Sequence, residues 1–136
     1  MAQQYVVRYE DGVSGKLPVP GGGGSYRILL DRQLGGAQHF SLLVNEIQPG
    51  YTGAYHKHDV EHAWYILQGQ GTMWVDDVPH EIGPNMAVFA PAGVMHRIAS
   101  LGPEPLKYVV VYAPAGPEQE LREKGERAYG NDAAPS

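Results

Sequence analysis

The chain has 136 residues, the size of one domain, and its 43% apolar and 18% charged residues exclude a disordered polyelectrolyte. A balance of 15 acidic to 10 basic side chains, net −5, offers no basic stripe for nucleic acid, and no run nears the ~20 apolar residues of a membrane span. Cysteine is absent, which excludes disulfides and thiolate metal sites, and Met1 to Glu10 lack the basic start and apolar run of a leader peptide, so a soluble cytoplasmic protein is expected.

The 18 glycines and 11 prolines favour turns over long helices. Residues 1–25 form a turn-rich segment, with Gly12, Gly15, Pro18 and Pro20 leading into Gly21 to Gly24. They read as a flexible loop ahead of the core. A phosphate cradle is rejected, because Gly15-Lys16 is followed by Leu17 rather than by Ser or Thr opening a helix. Residues 26–114 carry eight short strand-like runs. These are Tyr26 to Asp31, His39 to Ile47, His62 to Gln68, Thr72 to Val75, Val78 to Ile82, Met86 to Ala90, Val94 to Ser100 and Leu106 to Ala113. The Asp76-Asp77 turn, Gly83-Pro84, Pro91 and Gly102-Pro103 punctuate them. Such near-regular spacing predicts an all-β sandwich or small barrel. Residues 115–136 hold the one good helix pattern, Pro117 to Tyr129, with Glu118 and Glu120 in its first turn and Lys124 and Arg127 later. Its thin apolar content places it on the surface, and Gly130 to Ser136 read as a frayed tail.

Four of the six histidines have informative spacing. On an extended chain residues two apart share a face, so His56 and His58 point the same way, and His62 keeps their parity. His96 comes from a distant strand. Neutral imidazoles suit divalent transition metals, yet a strand histidine is also commonly a packed or surface residue, and that is how His39 and His80 are read. A His-x-His pair alone leaves both readings open.

The surrounding punctuation resembles the cupin superfamily. Gly50-x5-His56-x-His58-x3-His62-x6-Gly69 is similar to its first motif, Gly-x5-His-x-His-x3-4-Glu-x6-Gly. Asn85-x5-Pro91-x-Gly93-x2-His96-x3-Ser100 is similar to the second, Gly-x5-Pro-x-Gly-x2-His-x3-Asn. The resemblance implies a cupin-type jelly-roll barrel over residues 26–114, with one divalent ion on His56, His58, His62 and His96. Asn85 stands in place of a glycine and can take the same left-handed turn. Ser100 stands in place of the terminal asparagine. His62 stands where the family has glutamate, and this resembles the small single-domain cupins that use four histidines, which include manganese and iron binders. Glu61 is the rival fourth ligand, but strand parity turns it to the face opposite His62.

Manganese or iron is the expected ion, with zinc, nickel or copper as alternatives. Four neutral ligands leave it at +2, which favours a small anionic, enolisable or unsaturated substrate. On a six-coordinate ion two adjacent positions stay open. The first expectation is a dioxygenase-like enzyme, the second a non-redox lyase or isomerase, and the third a cupin that binds a small molecule without turnover. By parity Trp64, Ile66, Ile98, Tyr108 and Val110 line the pocket, and in related small cupins the Tyr108 position lines the metal cavity, where a phenol could donate a hydrogen bond to a bound oxygen. Ala63, Tyr65 and Leu67 form an apolar face, either for a partner sheet in a homodimer or for the second layer of the sandwich itself. A small-molecule substrate is the expected partner, with neither nucleic acid nor membrane.

Overall fold

The computed structural model describes residues 4–130. In chain order a 3₁₀ turn at Tyr9–Asp11 precedes β1 (Val13–Lys16), β2 (Gly24–Leu30), β3 (Ser41–Ile47), β4 (Glu61–Gln68) and β5 (Gly71–Val75). Then follow β6 (Val78–Ile82), β7 (Ala87–Ala90), β8 (His96–Ser100), β9 (Leu106–Ala113) and α1 (Pro117–Gly130). The strands form two antiparallel sheets, ordered β1-β2-β3-β9-β4-β7 and β6-β5-β8. This is the expected all-β jelly-roll sandwich with one C-terminal helix.

Alternation of side chains builds its core. Leu106, Tyr108, Val110 and Tyr112 of β9 face inward while Lys107, Val109 and Val111 face outward. Ile28, Leu43, Ile47, Ile66, Met73 and Val110 are fully buried between the sheets. Asp76 (φ 53°) and Asp77 (φ 65°) supply the left-handed pair of the β5–β6 hairpin, and Asn85 (φ 69°) takes the conformation expected of it. No helix among the described residues is long and apolar enough to cross a membrane.

Two expectations are corrected, and one choice left open is decided. Residues 13–19 are part of the barrel and not a flexible loop, because β1 pairs with β2 and Leu17 and Val19 are buried in the core. Gly15 belongs there because a Cβ would lie 2.5 Å from the Tyr26 hydroxyl. Helix α1 does not merely lie on the surface. Glu118 is buried, accepting hydrogen bonds from Ser41 Oγ (2.8 Å) and the Gly116 N–H (2.9 Å), and Leu121 packs against the core. Its Leu121 carbonyl takes the Tyr26 hydroxyl at 3.0 Å. The face with Ala63, Tyr65 and Leu67 is not covered by the second sheet: Tyr65, Leu67 and the neighbouring Phe89 are exposed. Of the expected tail, residues 131–136 lie outside the described residues.

The helix is held by Asp31, fully buried, which receives Arg122 Nε at 3.0 Å and Nη2 at 2.8 Å. Its other oxygen takes the Gln33 and Leu34 N–H groups at 3.0 and 2.7 Å. Removing the guanidinium strands a buried carboxylate. Arg122→Met should therefore cost about 3 kcal/mol in urea denaturation, a loss typical of a broken buried pair, while Asp31→Asn should cost less.

Candidate metal centre

The four histidines converge from three parts of the chain. His56 and His58 lie in the extended segment before β4, His62 is the second residue of β4, and His96 opens β8. His56 and His96 form an isolated antiparallel bridge, with N–H to C=O distances of 3.1 and 2.9 Å in the two directions. The Gly93 N–H donates to the His58 carbonyl at 2.8 Å. A turn with positive φ at Gly93 (82°) makes that approach possible.

Ligating nitrogens of His56, His58 and His96 all lie within 4.8 Å of one another. His62 stands beside them, its ring centre 5.0 Å from His96 and 5.4 Å from His58, stacked on Trp64 at 3.6 Å. It is 4% exposed, whereas Glu61 is exposed, as strand parity requires. His39 and His80 are exposed and apart from the cluster.

Nδ1 of His56 lies 2.9 Å from the Ala54 carbonyl and Nδ1 of His96 lies 3.2 Å from that of Val94. Donation to those carbonyls fixes the tautomer that leaves each Nε2 lone pair free. Nε2 of His58, Nε2 of His96 and both ring nitrogens of His62 are buried without a hydrogen-bond partner. A buried polar atom left unbonded is costly, and a divalent ion accepts such lone pairs. The residues fit a metal ion.

Burial also holds the imidazoles neutral. Desolvation pushes His58 down to about 4 and His96 to about 3, and lowers His56 and His62 as well. Mutual repulsion among the rings adds to the effect at His58, His62 and His96.

The cluster opens into a cavity of about 130 Å³. Trp64, Ile98 and Tyr108 line it, as parity predicts, together with Asn45, Tyr112 and Glu120. Ile66 and Val110 face inward but are fully buried in the core and do not reach the cavity wall. The phenol beside the imidazoles is Tyr112 rather than Tyr108. Its ring centre lies 4.4 Å from His62 and 5.2 Å from His58, and burial raises its pKa, so it stays protonated. The register explains this, since Tyr112 pairs directly with His62 while Tyr108 pairs with Ile66. Arg97 faces away from the cluster, over the rings of Trp74 (4.2 Å) and Tyr55 (4.6 Å). No Lys or Arg lines the cavity among the described residues.

The Cupin domain profile matches residues 43–112, which hold the whole cluster. A dimethylsulfoniopropionate lyase of Ruegeria pomeroyi, DddW, is 29% identical over 90 residues, 66% of this chain and 59% of that protein, so the chain spans about three fifths of its length. The polyketide cyclase RemF of Streptomyces resistomycificus superposes with TM-score 0.70 at 25% identity, covering 85% of this chain and 81% of that one. An RmlC-like cupin from Shewanella frigidimarina superposes with TM-score 0.71 at 19% identity over 87% and 99% of the two chains.

The lowered imidazole pKa values link stability to pH. In the unfolded chain histidine binds protons below about 6.5, while the buried rings refuse them until far lower. Between those limits the unfolded state holds more protons, so stability is complete above about 6.5 and is lost as pH falls toward the folded values. Chelator-treated protein should lose on the order of 2 kcal/mol between pH 6.5 and 4, read by thermal denaturation. A midpoint flat across that range would contradict the burial of neutral rings.

Proposed function

The chain belongs to the cupin family, and on that footing we propose that it is a metal-dependent enzyme of the lyase type, drawing a proton from the carbon beside a carboxylate or carbonyl of a small substrate while the C–H electron pair forms a carbon–carbon double bond and a group on the next carbon leaves with its bonding pair. The observation that carries this reading is one cluster of four histidines, with His62 and His96 buried and with unbonded ring nitrogens on His58, His62 and His96, facing a cavity that no Lys or Arg lines among the described residues. His56, His58, His62 and His96 would hold one divalent ion, manganese or iron before zinc, nickel or copper. Such an ion, kept at +2 by neutral ligands, supplies Lewis-acid stabilisation of a carboxylate or enolate oxygen. With no basic side chain on the wall among the described residues, the imidazole cluster is where an anionic group docks.

Tyr112 takes the role expected of Tyr108, donating a hydrogen bond to a substrate oxygen held at the cluster. Glu120, a carboxylate on the cavity wall, is the candidate proton acceptor. Trp64 and Ile98 shield the site from water. Similarity to a named lyase favours this branch over the dioxygenase-like reading. The uncovered face of Tyr65, Leu67 and Phe89 suits a second copy of the chain, and a monomer in light scattering would remove that part of the proposal.

The ligand set is tested by elemental analysis. His62→Ala should lower bound metal severalfold, and Glu61→Gln should leave it intact; the reverse pattern would sink the four-histidine site. The chemistry is tested by turnover of small carboxylates without dioxygen. Anaerobic elimination is expected, and Tyr112→Phe should slow it about 100-fold at unchanged metal content. Turnover that consumes dioxygen would restore the oxygenase, and tight binding without turnover would leave a binding module.

A further inference from the structure

Asn45 has a place in the cavity that the metal cluster does not account for. It lies on β3, is 4% exposed, lines the cavity, and its Oδ1 is buried without a hydrogen-bond partner. The other inward residues of β3 need no ligand, because Leu43 and Ile47 are apolar and the Ser41 hydroxyl is bonded to Glu118. An amide oxygen kept from water and left unbonded costs roughly 1–3 kcal/mol, so its position on a cavity wall marks a place where a ligand's donor belongs.

The sheet register says where that place is. Ser41 pairs with Tyr112, which pairs with His62, so that row of the sheet is level with the imidazoles. Asn45 stands four residues further along β3, in the row of Tyr26 and Tyr108. Four residues of strand span about 13 Å, and the inward side chains shorten the gap that a ligand must bridge. The cavity, about 130 Å³, is close to one that encloses benzene, so its occupant has on the order of six heavy atoms. Leu17, Val19 and Ile47 also line this cavity. Among apolar walls a hydroxyl sheds water far more cheaply than an ammonium group.

We propose that Asn45 selects the end of the substrate remote from the imidazoles: its amide oxygen accepts a hydrogen bond from the hydroxyl of a short hydroxy-carboxylate whose carboxylate docks at the histidine cluster. This rests on the anion-binding reading of that cluster. It adds a specificity residue and narrows the substrate class to small carboxylates with a distal hydroxyl.

Metal-loaded protein is titrated calorimetrically with butyrate, 3-hydroxypropionate, 4-hydroxybutyrate, 5-hydroxypentanoate and 4-aminobutyrate. At least one hydroxy acid should bind about tenfold more tightly than butyrate, the gain of one buried hydrogen bond. Asn45→Leu should abolish that preference and keep butyrate affinity. It should also raise the melting temperature of the ligand-free protein, because the orphaned amide is gone. Asn45→Asp, which keeps the side chain's shape, should move the preference to 4-aminobutyrate. Equal binding of butyrate and every hydroxy acid, or a preference that survives Asn45→Leu, would overturn the role of Asn45 while leaving the anion site standing. A wild-type preference for 4-aminobutyrate would overturn the hydroxyl assignment. Failure of every carboxylate to bind would overturn the anion site and this proposal together.

Discussion

Two reciprocal backbone hydrogen bonds between His56 and His96 set the geometry on which the site depends. They join the segment before β4 to the start of β8, so two imidazoles from distant parts of the chain project from one ladder rung. Each ring then turns back to a carbonyl two residues earlier in its own segment, which leaves its Nε2 lone pair free for an ion. The hydrogen bond from Gly93 to the His58 carbonyl holds the third ring in the same frame. His62 arrives from the neighbouring sheet, where β4 lies between β9 and β7. Backbone pairing, rather than side-chain contact, therefore preorganises the cluster before any ion arrives.

Preorganisation has an energetic consequence. Unpartnered ring nitrogens crowded out of water destabilise the fold, and their lowered proton affinity is the same desolvation seen in another observable. The surrounding structure offsets this with a core of fully buried aliphatic side chains and with the helix anchored through Asp31 and Glu118. Helix α1 thus contributes twice, closing the core beside Tyr26 and placing Glu120 on the cavity wall.

Turn punctuation between short β-rich runs made eight of the nine strands among the described residues legible, and strand parity separated Glu61 from His62. Three features escaped for distinct physical reasons. The first strand is four residues long and contains Gly15, which reads as a loop until the ring of Tyr26 is seen to need that space. Helix α1 is anchored by an ion pair and by the hydrogen bond that Glu118 accepts from Ser41, and polar anchors leave no mark on hydrophobic periodicity. Tyr108, Val110 and Tyr112 share a face, but parity cannot tell how far along a strand the site lies. Only the register, with Tyr112 opposite His62, puts that phenol at the cluster and leaves Val110 and Ile66 in the core. The family punctuation carried the histidines and the Asn85 turn, but it bears on neither Asn45 nor Glu120, which lie outside both motifs.

Charge ties the proposed ion to substrate binding more tightly than a structural role would. The chain carries net −5, and its cavity is lined by Glu120 and, among the described residues, by no cationic side chain. In many anion sites a protonated histidine can stand in for a lost cation. Here burial keeps His58 and His96 uncharged down to about 4 and 3 and lowers His56 and His62 as well, so mild acid supplies no substitute positive charge at His58 or His96. Removing the ion then leaves neutral rings facing a carboxylate, with an acidic side chain nearby. Protons drawn to the rings at still lower pH would displace the ion rather than assist it, since a ring nitrogen cannot hold both. Affinity for a carboxylate should accordingly follow metal occupancy across the whole neutral and mildly acidic range, with no residual binding to the metal-free cluster. The same burial that destabilises the unmetallated fold is what reserves the site for an ion and makes anion recognition conditional on it.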